Sequence, residues 1–264
     1  MRFKRTFKTL VYVSGFLLGG IAATANATVI LYSQDFENPN PGSFINDSGD
    51  VNIYNPVNNL YGNQPAGFQF AQTYTVETLL VGGTQAWGTG FKDPQNIAGR
   101  HVISMLSDQQ NDLLSLAFNV GNYEFLNFQL DISSIDLDRW GGPFVPNRGE
   151  APVFKISLFD NPSGANNIDG PSLLSSAVIA GAVGTQKNVF NWTNHIVALD
   201  AKGSTNGNVI LQIDELSGGY AALDNFLIAA SNKPGDVDVP EPGAMILFGI
   251  GLIGLGLARK KKVV

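Results

Sequence analysis

Apolar and polar residues alternate with a period of two along much of this chain, the pattern of strands with one buried face. Leu114, Leu116, Phe118 and Val120 alternate with Ser115, Ala117 and Asn119. Gly121-Asn122 then reads as a tight hairpin turn. Phe128, Leu130 and Ile132 continue on the next strand, opposite in phase to Tyr123 and Phe125, which predicts a bulge near Leu126. Phe154, Ile156 and Leu158 form a further strand that Asn161-Pro162-Ser163-Gly164 ends. Val209, Leu211 and Ile213 make another, and Phe226 and Ile228 lie on the last. Loops such as 38–42 and 141–143, rich in Asn, Gly and Pro, separate them. Residues 97–106 and 171–181 remain ambiguous between helix and strand. Many short strands between turn signals indicate an all-β fold, an antiparallel β-sandwich of jelly-roll type.

Both ends depart from this pattern. Arg2, Lys4, Arg5 and Lys8 precede an apolar stretch at 10–22, and Ala25-Asn26-Ala27 supplies a small-residue cleavage site. These are the parts of a signal peptide over 1–27, with the mature chain starting at Thr28. At the other end, Val239-Pro240-Glu241-Pro242 precedes sixteen uncharged residues, 243–258, and the basic cluster Arg259, Lys260, Lys261 and Lys262. As a helix, 243–258 spans about 24 Å, short of the roughly 30 Å hydrocarbon core of a bilayer. Gly249, Gly251, Gly254 and Gly256 weaken it further and allow a partner helix to approach closely. A marginal transmembrane helix of this kind suits a segment that another membrane protein grips and cuts. The basic end favours the cytoplasmic side. The chain thus divides into a signal peptide (1–27), one exported β-sandwich domain (28–230), a polar linker (231–238) and a tail (239–264).

The ends also mask the charge of the body. Of 16 basic residues, eight lie in the two tails, while all 22 acidic residues lie within 28–258. That stretch carries −14, against −6 for the whole chain. Nucleic acid is excluded as a partner, and divalent cations and uncharged glycans are compatible. There is no cysteine, so the domain relies on its core, or on a metal, rather than on disulfides.

The tail resembles the PEP-CTERM sorting signal of Gram-negative bacteria, a Pro-Glu-Pro before a membrane helix and a basic end. The resemblance implies recognition and processing by an exosortase-type membrane protease. It also implies transient membrane residence through the tail, then delivery to the cell surface or extracellular matrix. The body is similar to jelly-roll carbohydrate-binding modules, because it opens with SQDFENPNPG and closes with GGYAALDNFLI. In those modules the two segments commonly hold a structural calcium ion, and the matching acids here are Glu37 and Asp224. Calcium wants several hard oxygen ligands, which such residues supply. The alternative is that Glu37 is a solvated turn residue and that Asp224 caps a loop or hydrogen-bonds backbone.

Exposed aromatic faces stack on sugars. Trp87 and Trp140, in Gly-rich stretches, are the candidates, followed by Tyr54 and Tyr61, while Trp192 is expected in the core beside Phe190. Asp136 and Asp138 resemble a glycosidase pair only superficially, since such pairs come from different strands across a cleft. His101 and His195 lack a second ligand at metal spacing, and His195 reads as a strand residue satisfied by a hydrogen bond. No catalytic motif is present. The sequence therefore points to an exported, non-catalytic surface or matrix protein. A carbohydrate-binding module for exopolysaccharide is the alternative, and a polysaccharide-acting enzyme comes third.

Overall fold

The computed structural model describes residues 28–42, 45, 56–82, 90–107, 111–135 and 150–238. Trp87, Trp140, Tyr54, Asp136, Asp138, Ala25, Ala27, the 239–242 motif and the basic residues 259–262 lie outside the described residues. In chain order the elements are β1 (Val29–Gln34), α1 (Val57–Leu60), β2 (Gln69–Gln72), β3 (Glu77–Leu80), β4 (His101–Leu106) and β5 (Leu113–Asn119). They continue with β6 (Phe125–Ser134), β7 (Val153–Asp160), β8 (Ser172–Ala180), β9 (Thr193–Asp200), β10 (Asn208–Ser217) and β11 (Tyr220–Ser231). Two antiparallel sheets result. One runs β3-β4-β11-β6-β9 with β1 also paired to β11, and the other β2-β5-β10-β7-β8. The all-β sandwich expected from the alternation is what the chain forms.

The alternating residues meet between the sheets. Leu114, Leu116 and Phe118 of β5 stand opposite Ile213, Leu211 and Val209 of β10, which in turn pair with β7. Facing them are Leu126, Phe128, Leu130 and Ile132 of β6 with Leu223, Phe226 and Ile228 of β11, all buried in one cluster. Each such side chain contributes about 1.5–3 kcal/mol when fully buried. A second, smaller cluster covers the outer face of the first sheet, where Phe91, Phe190 and Trp192 pack on Val102, Leu106 and Ala222. Trp192 is buried there, 5.1 Å from Phe190, as expected.

Three expectations need correction. Gly121-Asn122 is a turn but not a hairpin, because β5 and β6 belong to different sheets and the chain crosses the sandwich there. The bulge lies in β11, between Asp224 and Leu227, and not near Leu126 of β6. The ambiguous stretches 97–106 and 171–181 contain strands β4 and β8. Strand β4 hid its period because both of its faces are buried, one in each cluster.

Candidate functional site

Strand β11 is shared along one edge by two strands laid end to end. Tyr220–Leu223 pairs with β4, and Phe226–Ala230 pairs with β1. Asp224 and Asn225 occupy the junction, where the register against β6 also shifts. Asn225 takes a left-handed conformation (φ 52°), and so does Phe36 (φ 53°), where the chain leaves β1. That turn buries the Phe36 ring edge-on against Tyr61 and Phe226, with centroids 5.3 and 5.0 Å apart. The Tyr61 hydroxyl donates to the Phe36 carbonyl at 2.8 Å. Tyr61 is therefore buried, and the expectation that its ring is open to a sugar is corrected.

The turn brings Glu37 to the start of β4. Its Oε1 accepts the backbone N–H of Arg100 at 2.8 Å and of His101 at 3.0 Å. Gly99 (φ 53°) lies under the carboxylate, and a Cβ there would collide with it. Glu37 is thus more than a solvated turn residue, because it ties the β1 exit to β4. Asp224 is 1% exposed, and its Oδ1 accepts the Asn225 N–H at 2.7 Å. Burial, then the charges of Glu37, Asp131 and Asp35, pushes its pKa up to about 9. The two acids matched in sequence therefore share one electrostatic neighbourhood.

Two neighbours carry no sequence signal that marks them. Asp131 of β6 accepts the side-chain amides of Asn194 at 2.8 Å and Asn225 at 2.9 Å. Asn225 also donates to the Ile97 carbonyl at 3.4 Å. Asp131 belongs to the site only because β6 lies beside β11, a fact of topology. Among the described residues, no ion pair reaches these acids. The donors are of the right kind for a hard cation, being carboxylate and carbonyl oxygens around a buried carboxyl. They are few, however, since no three acidic or histidine side chains among the described residues stand at metal-holding spacing. A calcium ion would need main-chain carbonyls beside Glu37 and Asp224.

The histidine rings border the site, His101 beside Glu37 and His195 beside Asp131. His195 Nε2 lies 3.1 Å from Thr193 Oγ1, the hydrogen-bonded strand residue foreseen. Burial lowers the pKa of both His195 and His101. Elsewhere, a cleft of about 280 Å³ opens beside Phe68 and Phe118, whose rings stack at 5.2 Å, with Asn119, Asn161 and Asn208 on its walls. Its residues come from β5, β10 and two loops, so no local motif announces it.

Residues 238–261 match the PEP-CTERM protein-sorting motif. No curated protein matches the chain. Among solved structures, similarity extends to the K1 cleaved adhesin domain of Lys-gingipain from Porphyromonas gingivalis W83, at 11% identity and TM-score 0.41. That alignment covers 77% of this chain and 98% of the other. The C-terminal family 22 carbohydrate binding module of Clostridium thermocellum Xyn10B aligns at 13% identity and TM-score 0.39, covering 81% and 99%. At such identities and scores, nothing about ligands passes from these proteins to this chain.

Proposed function

We propose that this is an exported, non-catalytic protein of the cell surface or extracellular matrix, released from its C-terminal anchor by an exosortase-type protease. The observation that carries the reading is the sorting motif at 238–261, which begins where the polar stretch after β11 ends. A folded sandwich followed by a short spacer and a membrane-directed tail is a cargo with its address. Mass spectrometry of the mature protein tests this. A C-terminus near Pro240-Glu241-Pro242 is expected, and an intact end carrying Arg259 to Val264 would sink the reading.

A cation at the Asp224 cluster belongs to the same proposal. When bound, calcium would offset the mutual repulsion of Glu37, Asp131 and Asp224 and let Asp224 ionise. Glu37 and Asp224 would supply its carboxylate oxygens. Titration calorimetry decides, since no heat with calcium, together with a melting temperature unmoved by chelator, removes the ion.

A second reading, glycan recognition, draws support from the cleft at Phe68 and Phe118. Amide side chains around an aromatic pair suit a neutral polyhydroxyl ligand, and an acidic body suits an uncharged one. A pull-down on purified exopolysaccharide, repeated with Asn119→Ala and Asn208→Ala, tests it. Binding that both variants retain assigns recognition elsewhere, with Trp87 and Trp140 next in line. Turnover of the polymer would favour an enzyme instead.

A further inference from the structure

Among the described residues five strands, β1, β2, β3, β8 and β9, pair on one side only; β1 has six residues, and Asp35 follows it directly. Strands β2 and β3 have only four residues each, and β3 carries Glu77. Strand β9 ends on Asp200. Short length and charge are the usual protections against edge-to-edge pairing. Strand β8 has neither. It runs nine residues, SLLSSAVIA, and pairs only with β7. The stretch 170–186 around it contains no charged residue and no proline inside the strand. Among the described residues no second strand pairs with it, although β9 of the other sheet lies close by. Leu173 and Val178 are 50% and 62% exposed, and Val183 just beyond is 38% exposed.

We propose that β8 is the site where two copies of this protein join, antiparallel and across a two-fold axis at Val178. Such an axis places Val178 opposite Val178 of the second copy, Ala177 opposite Ile179, and Ser176 opposite Ala180. Every pair is apolar or small, so the self-pairing contains no like-charge contact. The regular part of β8 carries this pairing, because its one irregularity falls earlier, between the partners of Leu158 and Phe159. Joining the edges turns two five-stranded sheets into one continuous sheet, the β-augmentation mode applied to an isologous contact.

The dimer is separable from the sorting reading, on which it rests only for its use in a matrix. The test is sedimentation of the purified exported chain over concentrations reaching roughly 100 µM. A monomer–dimer equilibrium is expected. Val178→Lys and Val178→Glu are each expected to weaken it by about 100-fold through like charges on the axis. An equal mixture of the two variants should restore the dimer, because position 178 faces itself. A monomer throughout, a dimer indifferent to both charges, or a mixture without rescue overturns the proposal. Should a variant misfold, hydrogen exchange on the unmodified chain decides. Protection of β8 amides that rises with concentration supports the contact, and protection that does not change with concentration refutes it. The C-terminal mass is read separately, so a failed dimer leaves the sorting assignment standing or falling on its own data.

Discussion

Asp224 gives the fold a pH dependence whose sign follows from its surroundings. Its carboxyl is held protonated in the native state by burial and by the charges of Glu37, Asp131 and Asp35, with a pKa of about 9. In the unfolded chain the same group ionises near its ordinary value of about 3.9. Between those values the native state holds a proton that the unfolded state has released. The stability contributed is complete below the unfolded value and is lost as pH rises through the folded one. Melting temperatures in chelator should therefore carry a downward slope from Asp224 between about pH 4 and pH 9. Asp224→Asn should flatten that slope and outlast the parent chain at its alkaline end. A parent and variant with parallel profiles would show that the cluster does not act on Asp224. Gly99 makes a companion case. Its left-handed backbone and the Glu37 carboxylate above it leave no room for a Cβ. Gly99→Ala should cost about 1–3 kcal/mol, read from the urea midpoint. A neutral result would mean that Glu37 can leave the β4 amides freely.

At the scale of elements, legibility tracked the chemistry of a strand's second face. Strands β5, β7 and β10 keep polar residues there, such as Ser115, Ser157 and Gln212, and so announced themselves by alternation although these three side chains are buried. Strand β4 did not, since packing on both faces removed the polar half of its pattern. Strand β8 failed for the opposite reason, with Leu173 and Val178 apolar yet exposed. The crossings were illegible as well. A turn such as Gly121-Asn122 looks the same whether the next strand pairs with the last or joins the other sheet. In the site, Glu37 and Asp224 were visible through the resemblance that SQDFENPNPG and GGYAALDNFLI carry. Asp131 and Asn225 entered only through the pairing of β6 with β11 and the left-handed turn. The same turn explains an energetic expectation. Phe226 packs edge-on against both Phe36 and Phe128, at 5.0 and 5.2 Å, so it ties the β1 exit to the sheet. Phe226→Ala should cost about 3–5 kcal/mol in urea unfolding. A cost below about 1 kcal/mol would mean that the junction repacks around the cavity.

At the scale of the whole molecule, charge and shape act against each other. Residues 28–258 carry −14, so two bodies approaching one another repel. Among the described residues β8 is the longest edge strand free of charge. Repulsion spread over a surface is screened by salt, whereas main-chain pairing and apolar contact are not weakened by it. Self-association should therefore strengthen with ionic strength, by about tenfold in Kd between low and physiological salt, where the Debye length falls from about 30 to 8 Å. Sedimentation across a salt series measures this. The opposite slope, with salt dissolving the dimer, would mean that ion pairs hold the contact and that the edge of β8 does not. Calcium adds a control, because a divalent ion neutralises an acidic body at concentrations where sodium merely screens it. If calcium strengthens association equally in the parent chain and in Asp224→Asn, its action is on the surface field. Loss of the effect in the variant would instead couple the junction at β11 to assembly at the far edge of the other sheet.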